Sequence, residues 1–364
     1  MAALTANGAP LVAVGERGEI FFNGSVTLRA DDNVFLSGIE EESDVIFIFS
    51  PGVEFSYGGD AIWNASAYYR EDIYRYTDNS ELNTNNSNVF LNANYGDARL
   101  EGSFDASYQR LVQNTFDLAG EGFLVERDVY RIGVGGEYDL TQFIDVGSGI
   151  SYQRTDFKRR EFRDTEVISV PVDVYYNLSP TIDLSAGYRF RDNNTRGTGL
   201  DSQDHFFNVG IRGEVTPLIM GSFKIGYQER RFKDSDAPDD RTGLAFDGQV
   251  TWDASDRINV SIHGNRDLRY GARGNTIEQT GGGARVTYLF TELLAGGGGL
   301  RYQESRYKEF DRKDDRWTAD IGLTYSPNEY VDLSADYIYT NNDSNVSAAD
   351  LDRNIFQLTA ALRY

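Results

Sequence analysis

The nine residues 356–364 read Phe-Gln-Leu-Thr-Ala-Ala-Leu-Arg-Tyr, and this stretch decides the fold. Every second position carries an apolar side chain, namely Phe356, Leu358, Ala360, Leu362 and Tyr364. Alternation of this kind has the period of a β-strand with one apolar face and one mostly polar face. A strand that closes a β-barrel in lipid needs both faces, because the outer one meets acyl chains and the inner one meets a watery lumen. We therefore predict that Phe356, Leu358, Leu362 and Tyr364 belong to a barrel-closing terminal strand.

The same alternation recurs along nearly the whole chain, most clearly in residues 130–138, 168–176, 182–190 and 317–325. Counting such segments predicts about eighteen strands, with sixteen as the alternative, and even numbers are typical of single-chain membrane barrels. The predicted fold is all-β: a closed antiparallel up-and-down transmembrane β-barrel over residues 17–364. Residues 1–16 form a separate N-terminal segment in this prediction, lying in the periplasm or in the lumen.

Connections between the predicted strands alternate between short and long. Tight turns at residues 139–141, 177–180 and 216–218 alternate with polar stretches such as 233–240 and 341–347. Short turns on one rim and longer loops on the other are the plan of outer-membrane barrels, whose short side faces the periplasm. An even strand number then places both termini on that side. Aromatic residues near both ends of the strands predict two girdles at headgroup level.

Composition excludes several classes of function. The net charge of −22 argues against nucleic acid as a partner, because phosphate backbones require clustered Lys and Arg. Cysteine is absent, so thiol catalysis, cysteine-bound zinc and disulfides are excluded. The alternative fold is a soluble β-propeller or sandwich with a tyrosine-rich surface. We disfavour it, because its large outward apolar set would promote aggregation in water.

Charged residues stand at the positions that alternate with the predicted lipid-facing ones. They cannot point into hydrocarbon, where each charge costs about 2–4 kcal/mol at mid-depth. We predict that they line a pore, and the set is Arg29, Asp105, Arg131, Asp173, Arg189, Arg212, Lys224, Asp247, His263, Arg285, Arg301 and Asp320. Either the arginines form a basic stripe whose field selects polar or anionic solutes, or they form ion pairs that hold the wall together. No segment is long enough for a plug domain, although residues 1–16 or an infolded loop would narrow the pore.

Catalysis is not expected. The chain has two histidines, and only His263 is predicted to face the lumen, with Ser261 and Asn265 on its own strand. A catalytic histidine needs a nucleophile or carboxylate partner, and this spacing does not imply one. The Asp-rich loop segment at residues 311–315 lacks the spacing of an EF-hand calcium loop, so we predict no metal site and no cofactor.

The strand number, the Ser50-Pro51-Gly52 break in an early strand, the tyrosine-rich hairpins and the terminal aromatic resemble a bacterial outer-membrane β-barrel porin family associated with exopolysaccharide secretion. The resemblance implies a channel for hydrophilic solutes or exported polysaccharide, and it implies that the last strand is read by the barrel-insertion machinery. We also expect contacts with outer-membrane lipids and lipopolysaccharide. The alternative function is a loop-occluded structural barrel that anchors surface polysaccharide or a partner complex.

The expected location is the outer membrane of a Gram-negative bacterium. Residues 1–8 lack the cationic start of a signal peptide, so this location is inferred from the barrel pattern alone.

Overall fold

A computed structural model describes residues 10–59, 61–197, 200–234 and 237–364. One nineteen-stranded antiparallel sheet is present, in which β2 to β19 form a closed ring and β1 is an additional short strand. The predicted all-β barrel of eighteen strands is therefore confirmed, and the alternative of sixteen is wrong. No helix in the described ranges is long and apolar enough to cross a membrane.

The strands are β1 (Val12–Val14), β2 (Gly18–Asp31), β3 (Asp44–Tyr57), β4 (Trp63–Tyr76), β5 (Thr84–Gly96), β6 (Leu100–Val112), β7 (Glu126–Asp139), β8 (Ile144–Phe157), β9 (Thr165–Ser179), β10 (Ile182–Thr195), β11 (Ser202–Thr216), β12 (Ile219–Phe232), β13 (Arg241–Ser255), β14 (Ile258–Tyr270), β15 (Thr276–Thr291), β16 (Leu294–Tyr307), β17 (Arg312–Asn328), β18 (Val331–Ser344) and β19 (Leu351–Arg363). Two single-turn 3₁₀ helices, Ser80–Leu82 and Phe116–Leu118, lie in the connections after β4 and β6.

The ring closes between its first and last strands. β19 pairs with β2 from Ile355 opposite Asp31 to Arg363 opposite Asn23. The amide of Tyr364 then donates to the carbonyl oxygen of Phe22 at 2.9 Å. Beyond this point β1 pairs with Gly18–Ile20, the part of β2 that β19 does not reach. The segment predicted over residues 1–16 thus includes a short strand, while residues 1–9 lie outside the described ranges.

The two rims of the barrel differ in their connections. One rim, here called the turn rim, carries the connections 58–62, 97–99, 140–143, 180–181, 217–218, 256–257, 292–293 and 329–330. The opposite rim, the loop rim, carries 32–43, 77–83, 113–125, 158–164, 196–201, 233–240, 271–275, 308–311 and 345–350. In the turn 97–99, the hydroxyl of Tyr95 and two backbone amides hydrogen-bond Asp97 and hold the pKa of its carboxyl below the usual value.

The outer face of the ring is apolar between these rims. Val134, Ile150 and Leu323 are each about half exposed, as expected for side chains that no other part of the chain covers. Aromatic pairs mark both edges of the apolar band. Trp63 contacts Tyr95 near the turn rim with 4.7 Å between ring centroids, and Tyr302 contacts Trp317 near the loop rim at 4.8 Å. Aromatic rings favour the headgroup level, so the two belts fit the boundaries of a bilayer.

The Ser50-Pro51-Gly52 break is local. Pairing between β3 and β4 runs to Phe49 opposite Ile73 and resumes at Gly52 opposite Arg70, in the same register. Proline has no amide hydrogen to donate to a neighbouring strand, which explains the gap. Because the register survives, Phe49 and Val53 remain on the outer face on either side of it.

A charge placed on the outer face should destabilise the barrel, whereas the same charge on the inner face should not. Ile150→Arg, in the middle of β8, is expected to lower the free energy of unfolding by about 2–4 kcal/mol, because the guanidinium would enter hydrocarbon. The matched control is Ser151→Arg, whose side chain would point inward toward the row that holds Gly133 and Asp105. Its free energy of unfolding should stay near the wild-type value. Urea unfolding in phospholipid vesicles measures both variants; equal stabilities would contradict the assignment of the faces.

Candidate functional site

The inner face of the ring carries the charged side chains that alternate with the apolar outer residues. By strand alternation this face holds all twelve predicted positions, Arg29, Asp105, Arg131, Asp173, Arg189, Arg212, Lys224, Asp247, His263, Arg285, Arg301 and Asp320. Among the described residues, four of the predicted basic side chains contact carboxylates directly, namely Arg189, Arg212, Lys224 and Arg285. The second of the two interpretations, ion pairs within the wall, therefore describes most of the predicted basic stripe.

A network near the loop rim, here called the arginine–aspartate cluster, joins Arg189, Arg191, Asp204, Arg230 and Asp267. The guanidinium of Arg230 donates to both carboxylate oxygens of Asp204, at 2.7 and 2.8 Å. Arg191 donates to Asp204 at 2.9 Å and to both oxygens of Asp267, at 2.9 and 3.1 Å. Arg230 and Asp204 are completely or almost completely buried, so each needs the other for solvation.

Asp267 reaches this cluster because the end of the β14–β15 hairpin bends into the lumen. We call residues 266–280 the inner hairpin. Pairing between β13 and β14 stops at Phe246 opposite Arg266, whereas β14 and β15 remain paired up to Tyr270 opposite Thr276. The hydroxyl of Tyr270 donates to Ser202 of β11 at 2.8 Å. The inner hairpin thus packs against the inner face of β10 to β12.

The longest loop-rim connection, residues 113–125, extends toward the inner hairpin and is here called the crossing loop. The carboxylate of Asp117 accepts from the backbone amide of Ala272 at 3.0 Å, and Glu121 forms an ion pair with Arg273 at 2.5 Å. Ala272 and Arg273 lie in the connection between β14 and β15, eight strands further along the ring from the β6–β7 connection. The crossing loop therefore spans the mouth of the barrel.

The crossing loop is also attached to β17. Arg312 donates to the carbonyl oxygen of Phe116 at 2.7 Å, and the guanidinium of Arg316 lies 4.0 Å from the centroid of the Phe116 ring. A cation over an aromatic face is attracted by the ring quadrupole. These contacts hold the short helix Phe116–Leu118 inside the loop rim.

Two small apolar clusters fill the space between the loops. One consists of Leu118, Val125, Phe162 and Ala272, and the other of Leu36, Ala119, Ala349 and Leu351. The first cluster joins three connections of the loop rim, and the second joins three connections there and the first residue of β19. Buried apolar contacts of this kind order the loops, so the loop rim is narrowed by folded structure.

A second group of ion pairs crosses the inside of the wall toward the turn rim. Arg212 of β11 donates to Glu137 of β7 at 2.8 Å and to Asp183 of β10 at 2.9 Å. The ring of Tyr175 lies against the same guanidinium, with its centroid 3.5 Å from the central carbon. Lys224 of β12 reaches Asp173 of β9 at 2.8 Å. These side chains bring β7 to β12 together across the inside of the wall.

An open groove of about 650 Å³ lies beside these ion pairs, and Glu137, Asp173 and Tyr175 form part of its lining. Glycine residues of β7 and β8 form much of its floor, and Asn64, Asn94, Glu101, Asp105 and Ser151 face it. A Cβ on Gly133 would lie 2.5 Å from a carboxylate oxygen of Asp105, so the absence of a side chain there leaves room for this carboxylate. Glu101 and Asp105 have no ion pair within the described part of the chain, so the groove is acidic and wet.

Neither histidine has the partners of a catalytic group. His205 faces outward and its Nδ1 lies 2.7 Å from the hydroxyl of Tyr188, while His263 faces the lumen. In the ranges that the structure describes, neither ring hydrogen-bonds a Ser, Asp or Glu side chain. Over the same ranges, no group of three or more His, Asp or Glu side chains is arranged to hold a metal ion.

Sequence reasoning did not name Asp204, Asp267 or Asp183, nor the crossing loop, as parts of the site. The inward position of Asp204 could have been predicted, because Phe207 faces outward and even-numbered residues of β11 must then face inward. The position of Asp267 depends on the bend of the inner hairpin, for which alternation contains no signal. Phe116, Leu118 and Phe123 make the crossing loop unusually apolar for a loop in water, which is a usable signal for burial.

Comparison with known proteins agrees with this geometry. A family model described as "Putative beta-barrel porin 2" matches residues 13–364. Among solved structures, OccAB4 of Acinetobacter baumannii is 12% identical and aligns with a TM-score of 0.51, covering 96% of this chain and 99% of that one. OccK5 (OpdH) of Pseudomonas aeruginosa is 10% identical, with a TM-score of 0.51 and coverage of 96% and 99%. At such identities the likeness extends to the fold alone. A search of curated proteins finds no match.

The arginine–aspartate cluster predicts that substitutions of two neighbouring arginines, Arg230 and Arg231, lower the stability of the protein to different extents. Arg230→Gln should lower the free energy of unfolding by about 3 kcal/mol, because it leaves the buried Asp204 with Arg191 as its remaining cation. Arg231→Gln, which removes an exposed outward pair with Glu229, should leave stability close to wild type. Urea titration followed by tryptophan fluorescence compares the two; similar losses would contradict the burial of the cluster.

Proposed function

The chain belongs to the family described as "Putative beta-barrel porin 2", and we propose that it forms an outer-membrane channel for hydrophilic solutes. The observation that carries this proposal is a closed ring whose inner face is charged and whose lumen contains a wide, wet groove near the turn rim. At eighteen strands, the interior is wide enough for an aqueous passage unless folded segments fill it.

The proposed location is the bacterial outer membrane. It is supported by the apolar band between two aromatic belts and by the family match. With short turns facing the periplasm, the crossing loop and the inner hairpin lie at the extracellular end of the lumen. The terminal strand with Tyr364 is the segment that we expect the barrel-insertion machinery to recognise.

The charge distribution supports a preference for cations. Arg189, Arg212, Lys224 and Arg285 are compensated by carboxylates, so the field of a free basic stripe is largely cancelled. Glu101, Asp105 and Asp247 have no ion pair among the described residues and face the lumen. Arg29, Arg131 and Arg301 also face it without an ion pair in the described ranges, but none of them lines the groove that contains Glu101 and Asp105. Uncompensated carboxylates attract cations into a pore and repel anions.

Removing the acidic charges of the groove should therefore change ion selectivity. The variant Glu101→Gln/Asp105→Asn is expected to shift the reversal potential in a KCl gradient toward lower cation preference. The control Glu229→Gln/Glu304→Gln removes two carboxylates from the outer face and should leave the reversal potential at the wild-type value. Equal shifts in both variants, or no shift in the groove variant, would reject the acidic groove as the determinant.

The crossing loop and the two apolar clusters favour a second candidate function. A barrel whose mouth is closed by folded loops can serve as an anchor for surface polysaccharide or for a partner complex, without conducting solutes. The two functions predict opposite results for the ionic current through the purified protein. Planar-bilayer recording distinguishes them, since an anchoring barrel gives no current at any voltage or in any salt.

Loosening the crossing loop should increase the conductance of the channel. Phe116→Ala/Asp117→Ala removes the ring beneath Arg316 and the acceptor of the Ala272 amide, while the wall remains intact. The matched control Phe310→Ala/Asp311→Ala makes the same changes in the exposed connection 308–311. Single-channel recording should show a larger current for the first variant and a wild-type current for the second. If neither variant nor wild type conducts, the anchoring function replaces the channel proposal.

Passage of exported polysaccharide is a narrower form of the same proposal. It requires the lumen to admit a chain of linked sugars rather than single small solutes. Liposome swelling with a series of oligosaccharides of increasing length measures this directly. Swelling with monosaccharides alone would restrict the proposal to small hydrophilic solutes.

A further inference from the structure

The bend of the inner hairpin leaves a seam in the barrel wall. From Arg241 to Ala245, β13 pairs with β12 on one side, whereas its pairing with β14 begins only at Phe246. The edge of β13 that faces β14 over these five residues therefore has no strand partner in the described ranges. Backbone amides and carbonyls on such an edge require polar partners, because an unpaired group in hydrocarbon costs several kcal/mol.

The seam lies at the level of the aromatic belt near the loop rim. Leu244 is paired with Tyr227, and both side chains are half exposed on the outer face. Below them, Phe246 contacts Phe223 with 6.4 Å between centroids, within the apolar band. The seam thus opens where lipid headgroups meet acyl chains.

A cavity of about 290 Å³ occupies the seam, between Leu244 of β13 and Leu268 of the inner hairpin. Three basic side chains line it, Arg241, Arg266 and Lys308, together with three carboxylates, Asp240, Asp267 and Glu278. Arg266 and Lys308 share one carboxylate, that of Glu278, at 3.1 and 3.2 Å. A second carboxylate, Asp267, is already bound by Arg191 and Arg189 of the arginine–aspartate cluster.

Arg241 adds an unused donor to this cavity. Its Nε atom is buried and has no hydrogen-bond partner in the part of the chain that the structure describes. A buried guanidinium nitrogen without an acceptor costs free energy, and an anionic oxygen is the acceptor that satisfies it best. The third carboxylate of the cavity, Asp240, accepts from the backbone amide of Phe232 at 3.2 Å, and Arg241 has no ion pair among the described residues.

We propose that the seam between β13 and β14 binds the phosphate-bearing headgroup of an outer-leaflet lipid. Arg241 and Arg266 contact the phosphate, free backbone groups of Arg241–Ala245 contact the polar headgroup, and the acyl chains run down the wall beside Leu244 and Phe246. The proposal rests on the outer-membrane location of the channel and does not depend on what the lumen conducts. A lipid suits the site better than a free phosphate, because the cavity joins basic groups to an exposed apolar surface.

Native mass spectrometry of the purified full chain in detergent tests this proposal with two lipid probes, bisphosphorylated lipid A and its dephosphorylated form. Wild type should retain the phosphorylated lipid about tenfold better than the dephosphorylated one, and Arg241→Gln/Arg266→Gln should lose about that factor. The control Arg154→Gln/Lys158→Gln removes two carboxylate-paired cations near the loop rim, one on β8 and one directly after it, and should bind as wild type does. Equal retention by all three proteins overturns the site, as does a wild type that does not discriminate between the lipids.

A second set of measurements distinguishes a lipid from a free phosphate ion as the occupant, and tests whether lipid binding depends on the channel function. Inorganic phosphate at millimolar concentration should not displace the lipid; complete displacement overturns the lipid as occupant in favour of a free phosphate ion. Arg241→Gln/Arg266→Gln should keep wild-type conductance and circular dichroism, which shows that the barrel is intact. If this variant loses lipid retention while its current is unchanged, the lipid site is supported independently of the channel. If wild type retains the lipid but gives no current, the lipid site stands and the channel proposal fails.

Discussion

Hydrogen bonding of the backbone is the constraint on which the rest of this structure depends. A sheet that spans a bilayer has no water to satisfy its edges, so the first and last strands must pair. Here β19 pairs with β2 down to Tyr364 and Phe22, and β1 covers the part of β2 that β19 leaves free. Once the ring is closed, each strand has one face toward lipid and one toward the lumen, and the charges have only one side on which to lie.

The inside of the ring is consequently crowded with polar groups that must satisfy one another. The Arg191–Asp267, Arg212–Glu137 and Lys224–Asp173 pairs connect strands that are not neighbours in the sheet. Such contacts make the lumen narrower than strand number alone implies. They also convert much of what looks in the sequence like a row of free cations into ion pairs, and leave an acidic groove near the turn rim where Glu101 and Asp105 lie.

Strands and faces were predictable from the sequence, because alternation reports directly which solvent each side chain meets. Leu358 and Tyr364 could be placed outward for this reason, and Gln357 and Arg363 inward. The partner of Arg212 could not be predicted, since Glu137 is four strands away and their contact depends on the cross-section of the ring. The inner hairpin was hidden for a different reason. Leu268 and Tyr270 continue the outward pattern of β14, and alternation does not distinguish a face that meets lipid from one that packs on another strand.

The inner hairpin also imposes an order on assembly. Its end lies inside the wall formed by β10 to β12, and the buried Arg230 lies between the two, bonded to Asp204 and Thr276. Strands β10 to β12 precede the hairpin in the chain, so until β14 and β15 arrive, their inner face carries these charges in water without Asp267. Insertion therefore cannot proceed as the simple addition of equivalent hairpins. The thirteenth and fourteenth strands of the ring, β14 and β15, must be turned inward at the stage when the wall begins to curve back toward β2.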